Sequence, residues 1–143
     1  MSPAAKVLRV MHLVEVNVRD VGITASTEKD SLCLFRPVYD KPNATTYAMS
    51  SAINTFQRGE LFRRVYCVEQ SDSGGQLVKF SIQLKDQAGY LLGQWDLDFS
   101  HGFHTHSVKG GKKESEHIPF EGGVCDVAFA IAAQIKAEIQ VDI

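Results

Sequence analysis

Five side chains that could bind a metal ion lie within the segment WDLDFSHGFHTH, residues 95–106. They are Asp96, Asp98, His101, His104 and His106. Imidazole and carboxylate ligands suit zinc, iron or manganese, and an H-x-H pair can reach one ion from a strand or an extended loop. The spacing matches no zinc signature, and solvated aspartates and histidines are common in such segments. The cluster therefore indicates either a divalent-metal site, such as zinc, in a metal-binding domain or metal-dependent hydrolase, or a solvated segment without a cofactor.

A second candidate site is the glycine-rich run KGGKK at residues 109–113. Its backbone N–H groups, together with Lys109, Lys112 and Lys113, could hold a phosphate group. The run lacks the strand–loop–helix context and the terminal Lys-Ser/Thr pair of a P-loop. It indicates a small-anion or nucleotide binder as one alternative and a solvated loop as the other.

Length and composition limit the classes of function. The 143 residues predict one domain, residues 1–143, that is large enough to bury a core. A net charge of −2 argues against nucleic acid and anionic membranes as partners. No apolar run approaches the roughly 18 residues that a membrane-spanning helix needs, and no secretory signal is visible. These features favour a cytoplasmic protein. Three cysteines without paired spacing, Cys33, Cys67 and Cys125, predict buried free thiols.

The clearest structural pattern covers residues Gln76–Phe99. Apolar and polar residues alternate on both sides of the polar segment Lys85–Gly89, which predicts a β-hairpin with one buried face. Asp96 and Asp98 share the opposite face of the second strand, so both carboxylates could face one site.

Weaker patterns predict the elements before this hairpin. Alternation indicates strands at Lys6–Arg19 and Glu60–Gln70, and a short apolar run indicates a short strand at Leu32–Arg36 between loops. Apolar residues at offsets of zero, four, five and eight indicate a helix at Thr45–Arg58. The 24 residues Ser100–Gly123 contain five glycines and four histidines and are expected to form a long, functional loop.

The C-terminal segment changes its period. From Val124 the apolar spacing is helical, and near Lys136 it becomes strict alternation, which predicts a final strand over Ala137–Ile143. Ala137, Ile139 and Val141 would then lie on one face of a sheet edge that is free to pair. The elements together predict an α+β fold in which a mostly antiparallel sheet of four to six strands carries two helices.

Three stretches within about residues 52–143 resemble the HORMA domain, a family that includes spindle-checkpoint and bacterial anti-phage adaptors. They are the helix end AINTFQRGELFRRV, the hairpin LVKFSIQLKDQAGYLLGQWDLDF with its Trp and alternating acidic residues, and the helix and strand VCDVAFAIAAQIKAEIQVDI. The resemblance implies a non-enzymatic adaptor that binds a partner peptide as an added strand beside Ala137–Ile143. For bacterial members it implies activation of a nucleotide second-messenger synthase, with a AAA+ ATPase as remodeller.

The function predicted first is therefore a signalling module that binds a protein or peptide, with antiviral defence as the context that the resemblance implies. No catalytic set stands out in the sequence, which is more typical of an interaction module than of an enzyme. The metal site and the anion site remain the alternatives. The oligomeric state stays open, a homo-oligomer included.

Overall fold

A seven-stranded antiparallel sheet with two helices on one face forms the molecule, as a computed structural model shows. The structure describes residues 9–35, 47–72, 74, 76–98 and 101–139. The predicted α+β class, with a mostly antiparallel sheet and two helices, is confirmed. The sheet has seven strands rather than four to six, because the segment predicted as a long loop supplies additional strands.

The elements follow one another along the sheet with few crossovers. Helix α1 (Arg9–Val18) and a 3-10 turn (Arg19–Val21) precede the first strand, and helix α2 (Val124–Ile139) follows the last. The strands are β1 (Thr24–Phe35), β2 (Tyr47–Arg58), β3 (Leu61–Ser71), β4 (Leu77–Lys85), β5 (Leu91–Asp98), β6 (Gly102–His106), β7 (Val108–Lys109), β8 (Lys112–Lys113) and β9 (Ile118–Pro119). The sheet order is β1-β2-β3-β4-β5-β6-β9, and β7 and β8 form a separate small hairpin.

The two faces of the sheet have different environments. One row of paired residues, Ala52, Cys67, Ile82 and Trp95, is buried on the inner face, where the helices pack. Helix α1 contributes Val10, Val14 and Val18 to this core, and α2 contributes Ile131, Ile135 and Ile139. Because successive residues of a strand point to opposite faces, the neighbouring row lies on the outer face. That row contains Tyr66, Gln83, Gln94 and His106.

The predicted hairpin and the strand before it are confirmed. Strands β4 and β5 pair as expected, and β3 matches the strand predicted at Glu60–Gln70. The turn between β4 and β5 is fixed by Asp86, whose carboxylate accepts hydrogen bonds from the backbone N–H groups of Ala88 and Tyr90, both at 2.9 Å. Such side-chain bonds to the following backbone are a common means of closing a turn.

The strand predicted at Lys6–Arg19 is wrong for its described part, because residues Arg9–Val18 form helix α1, and residues 6–8 lie outside the described residues. Its fully buried residues Val10, Val14 and Val18 are four positions apart. A spacing of four fits both a strand of period two and a helix of period 3.6, and the abundant valines favoured the strand. These valines pack against α2 as part of a helix. Tertiary packing of this kind outweighs the weak preference of valine for strands.

The helix predicted at Thr45–Arg58 is also wrong for its described part, because residues Tyr47–Arg58 form strand β2, and Thr45 and Thr46 lie outside the described residues. Ala52 and Phe56, taken as one face of a helix, are four residues apart and therefore share a strand face as well. Ser50, two residues before Ala52, and Asn54, between Ala52 and Phe56, are also buried, which is the alternation of a strand.

The first strand of the sheet is longer than predicted. Residues Leu32–Phe35, predicted as part of a short strand at Leu32–Arg36, form the end of β1, and Arg36 lies outside the described residues. The polar residues 24–31, for which the sequence predicted no strand, belong to β1 too. Polar side chains are common on a strand at the edge of a sheet.

The strand predicted at Ala137–Ile143 is wrong for its described part, since α2 continues to Ile139 without a change of period. Ala137 is exposed and Ile139 is 0% exposed, so the two do not share a face. Arg63 holds this end of α2, because its Nη2 donates to the Glu138 carbonyl at 3.2 Å and a cation suits a helix C-terminus. Val141 lies outside the described residues. Ala137 and Ile139 therefore offer no peptide-binding edge.

The cysteines differ in their environments. Cys67 is buried as predicted, and burial, together with the neighbouring Glu69 carboxylate, raises the pKa of its thiol. Cys125, at the start of α2, is exposed, contrary to the prediction. Within the described ranges, neither helix is long and apolar enough to span a bilayer.

The C-terminal end of α2 provides a direct test of this fold. Ile139→Ala should lower the free energy of unfolding by about 2–5 kcal/mol, since it removes a fully buried side chain. Ala137→Gln, two residues earlier and exposed, should change it by no more than about 0.5 kcal/mol. Urea unfolding followed by circular dichroism measures both. Similar effects at the two positions would favour the strand in which they share a face.

Candidate metal centre

Two adjacent strands place an aspartate and two histidines on the outer face of the sheet. Asp96 on β5 is paired directly with His104 on β6, and His106 is paired with Gln94. Residues two apart on a strand share a face, so both imidazoles and the carboxylate converge. The segment Ser100–Gly123 was expected to be a loop, and its first described part is the strand that carries these histidines.

A third histidine comes from the approach to β9. Thr105 pairs with Ile118, and His117 immediately before it lies beside β6. The ring centroid of His117 is 4.8 Å from those of both His104 and His106. One nitrogen from each of these three rings lies within 4.8 Å of the others. Three imidazole nitrogens therefore lie close together, and two of the three rings, those of His104 and His106, lie beside Asp96.

The two buried histidines have defined tautomers. Nδ1 of His104 lies 2.9 Å from the carbonyl oxygen of Gly102, and Nδ1 of His106 lies 2.9 Å from that of Glu114. A carbonyl oxygen only accepts hydrogen bonds, so each Nδ1 carries a proton and donates it. In a neutral ring the other nitrogen, Nε2, is then an acceptor with a free lone pair. Hydrogen bonds of this kind orient histidines that bind metals.

Both Nε2 atoms point at the carboxylate of Asp96. Asp96 Oδ2 is 3.1 Å from His106 Nε2 and 3.7 Å from His104 Nε2, and these histidines are only 6% and 3% exposed. The same oxygen accepts a hydrogen bond from Gln94 Nε2 at 3.0 Å, while Asp96 Oδ1 is buried with no hydrogen-bond partner among the described residues. Acceptors that face one another out of water are unfavourable unless protons or a cation lie between them.

The distances suit a metal ion of zinc size. Donor atoms at about 2.0–2.1 Å from a tetrahedral zinc are separated from each other by roughly 3.3–3.4 Å. The separations of 3.1 and 3.7 Å between Asp96 Oδ2 and the two Nε2 atoms bracket that value. The three imidazole nitrogens lie within 4.8 Å, so the widest pair must approach by roughly 1.5 Å on binding.

Asp98 and His101 lie at the rim of the cluster. Asp98 Oδ1 accepts the backbone N–H of His101 at 2.7 Å and lies 3.2 Å from its ring Nδ1. The His101 ring in turn stacks on His117, with centroids 3.8 Å apart and planes 4° from parallel. These contacts position His117 over the site. Asp98 is farther from the buried ring, with Oδ2 4.0 Å from His104 Nε2.

Contacts at the rim also shift the pKa values of Asp98 and His117. Burial raises the pKa of Asp98, but hydrogen bonds from the backbone and ring of His101 hold it below its usual value. Desolvation, followed by the charges of His101, His104 and His106, lowers the pKa of His117. A His117 that resists protonation keeps a lone pair for a metal ion near neutral pH.

The site therefore contains three of the five predicted ligands, Asp96, His104 and His106, at its centre. Asp98 and His101 support the rim, and His117 was missed. Nothing in the local spacing points to His117, because it follows His106 by eleven positions and reaches the site only through the pairing of β6 with β9. The lysines of the second predicted site are elsewhere. Lys109 lies on β7, whereas Lys112 and Lys113 lie on β8, and all three are exposed.

Comparisons of the chain with protein-family models, curated proteins and solved structures found no match. The HORMA resemblance therefore stays a prediction. Two of the elements it relied on, the helix ending near Arg58 and the strand after Lys136, have a different structure here.

The tautomers can be measured directly. In metal-free protein, the neutral forms of His104 and His106 should carry their proton on Nδ1, because each Nδ1 faces a carbonyl oxygen. Long-range ¹H–¹⁵N correlation spectra of the ring nitrogens distinguish the tautomers, and exposed His12 serves as the reference. Neutral rings protonated at Nε2 would contradict the arrangement.

Proposed function

We propose that the protein binds one transition-metal ion, zinc by preference, through His104, His106, His117 and Asp96. The supporting observation is that the Nε2 atoms of two buried histidines, oriented by their Nδ1 hydrogen bonds, face the half-buried carboxylate of Asp96. A cation between them turns mutually unfavourable contacts into ligand bonds.

The donor set favours a borderline metal. Three imidazoles and one carboxylate suit zinc and its late transition-metal neighbours, whereas calcium and magnesium prefer oxygen ligands. Four protein ligands around one ion are typical of structural zinc sites, while catalytic sites keep one position open for water. With Asp96 as the fourth ligand, the ion would have a structural role and would stabilise the folded chain. The metal-dependent hydrolase remains the alternative if water takes that place.

The metal would also hold the end of the sheet together. Asp96 lies on β5, His104 and His106 lie on β6, and His117 precedes β9. Strand β9 has only two residues, and one of them is Pro119, which has no backbone N–H to donate. An ion shared by these segments fixes a strand that its own hydrogen bonds hold weakly.

The signalling-module hypothesis stays a prediction and loses the surface proposed for it, because Ala137 and Ile139 are helical. A metal-organised sheet edge is compatible with a protein or peptide partner. No described contact favours one.

Zinc binding tests the proposal. Metal-stripped protein titrated with ZnCl₂ should bind one zinc ion per chain, measured by calorimetry and by native mass spectrometry. Zinc at about 100 times its Kd should raise the free energy of unfolding by about 2.7 kcal/mol, since the ion binds only the folded chain. CaCl₂ at the same concentration should not stabilise the protein, because calcium prefers oxygen ligands.

Matched variants assign the ligands. His104→Ala/His106→Ala should abolish zinc binding, whereas His12→Ala, at an exposed position on α1, should leave it unchanged. His117→Ala removes an exposed side chain, so it should leave the metal-free protein folded and still weaken zinc affinity at least about tenfold. Zinc binding that persists in the double variant would refute the proposal.

A further inference from the structure

A pocket of about 380 Å³ opens on the outer face of the sheet beside the metal centre. Its lining includes three lysines, Lys85 from β4 and Lys112 and Lys113 from β8, together with the amides of Gln83 and Gln94. No carboxylate lines it. The pocket therefore concentrates positive charge at a concave site, where its field is strongest.

The lysines that line the pocket, Lys85, Lys112 and Lys113, are not engaged in salt bridges among the described residues. The carboxylate nearest in sequence to Lys85 belongs to Asp86 and is engaged by two backbone N–H groups of its own turn. Lys85 itself is held by Tyr66, whose ring centre lies 4.6 Å from its Nζ. A cation–π contact orients an ammonium group without neutralising it.

The β7–β8 hairpin that carries two of the lysines is docked on the sheet. The N–H of Leu91 donates to the carbonyl of Gly111 at 3.4 Å, and the N–H of Glu114 donates to that of Ser107 at 2.8 Å. Gly111 has a φ of +75°, and a Cβ there would lie 2.8 Å from Tyr90 Cδ1. Only glycine permits both this backbone conformation and this close approach. The lysines are thus presented by a fixed turn.

The floor of the pocket is connected to the metal centre by hydrogen bonds. Gln83 Nε2 donates to Gln94 Oε1 at 3.1 Å, and Gln94 Nε2 donates to Asp96 Oδ2 at 3.0 Å. An amide nitrogen has two hydrogens, so Gln83 keeps a second donor. Gln94 is shared by both sites and is paired with His106 across the strands. The two sites are therefore neighbours on one face.

We propose that this pocket binds a multiply charged oxyanion of the phosphate class, either free phosphate or the terminal phosphate of a larger ligand. Three ammonium groups and an amide N–H match the charge and the acceptor oxygens of such a group. The pocket uses its own residues and does not require the metal. A zinc ion in the neighbouring centre adds positive charge and should strengthen anion binding, and by linkage the anion should strengthen zinc binding equally.

The test measures binding of inorganic phosphate, pyrophosphate and adenosine monophosphate by calorimetry at low ionic strength, with and without zinc. Lys112→Gln/Lys113→Gln should weaken pyrophosphate binding at least about tenfold. Lys109→Gln is the matched control, since Lys109 is an exposed lysine of the same hairpin outside the pocket lining, and it should have little effect. Tighter binding of adenosine monophosphate than of phosphate indicates a larger ligand, and the reverse indicates the free ion.

The remaining outcomes show whether the anion binds in the lysine pocket or at the metal centre. The proposal that the pocket binds the anion would be overturned in two cases. Either pyrophosphate still binds the variant Lys112→Gln/Lys113→Gln, or Lys109→Gln weakens pyrophosphate binding as much as that double variant does. Binding that requires zinc and disappears in His104→Ala/His106→Ala would show that the metal holds the anion, which refutes the pocket and leaves the metal proposal intact. Binding that persists in that histidine variant supports the pocket even if zinc binding fails.

Discussion

The two-residue period of strands β5 and β6 is the constraint on which the fold and the site both depend. Trp95 and Thr105 face the core under the two helices, so Asp96, His104 and His106 must face the other way. The same alternation that stabilises the molecule therefore gathers ionisable groups on the face that the helices leave uncovered. A shift of one residue in this register would bury the carboxylate and expose the tryptophan.

The resulting cluster is the metal centre that we propose. The two buried histidines have their Nδ1 atoms committed to backbone carbonyls, which leaves both Nε2 lone pairs directed at Asp96. The lysine pocket beside it is positively charged, since the three lysines that line it form no ion pair in the described chain. The two proposals place a cation in the first site and an anion in the second, and the hydrogen bonds of Gln94 connect the two sites.

Local patterns predicted those parts of the structure that local sequence determines. The β4–β5 hairpin was predictable because only a period of two fits its residues. The pair His104 and His106 was predictable because residues two apart on a strand share a face. The N-terminal strand was predicted wrongly because the spacing of four between Val10, Val14 and Val18 fits a helix and a strand equally. Tertiary packing decides between the two. His117 was beyond prediction because the pairing of β6 with β9, not sequence proximity, brings it to the site.

X-ray absorption spectroscopy at the zinc edge of the zinc-loaded protein tests the central claim most directly. The account predicts four nitrogen or oxygen ligands at about 2.0–2.1 Å, with the outer-shell scattering of three imidazole rings. A sulfur ligand at about 2.3 Å, or a six-coordinate shell of oxygens without imidazole scattering, would contradict it.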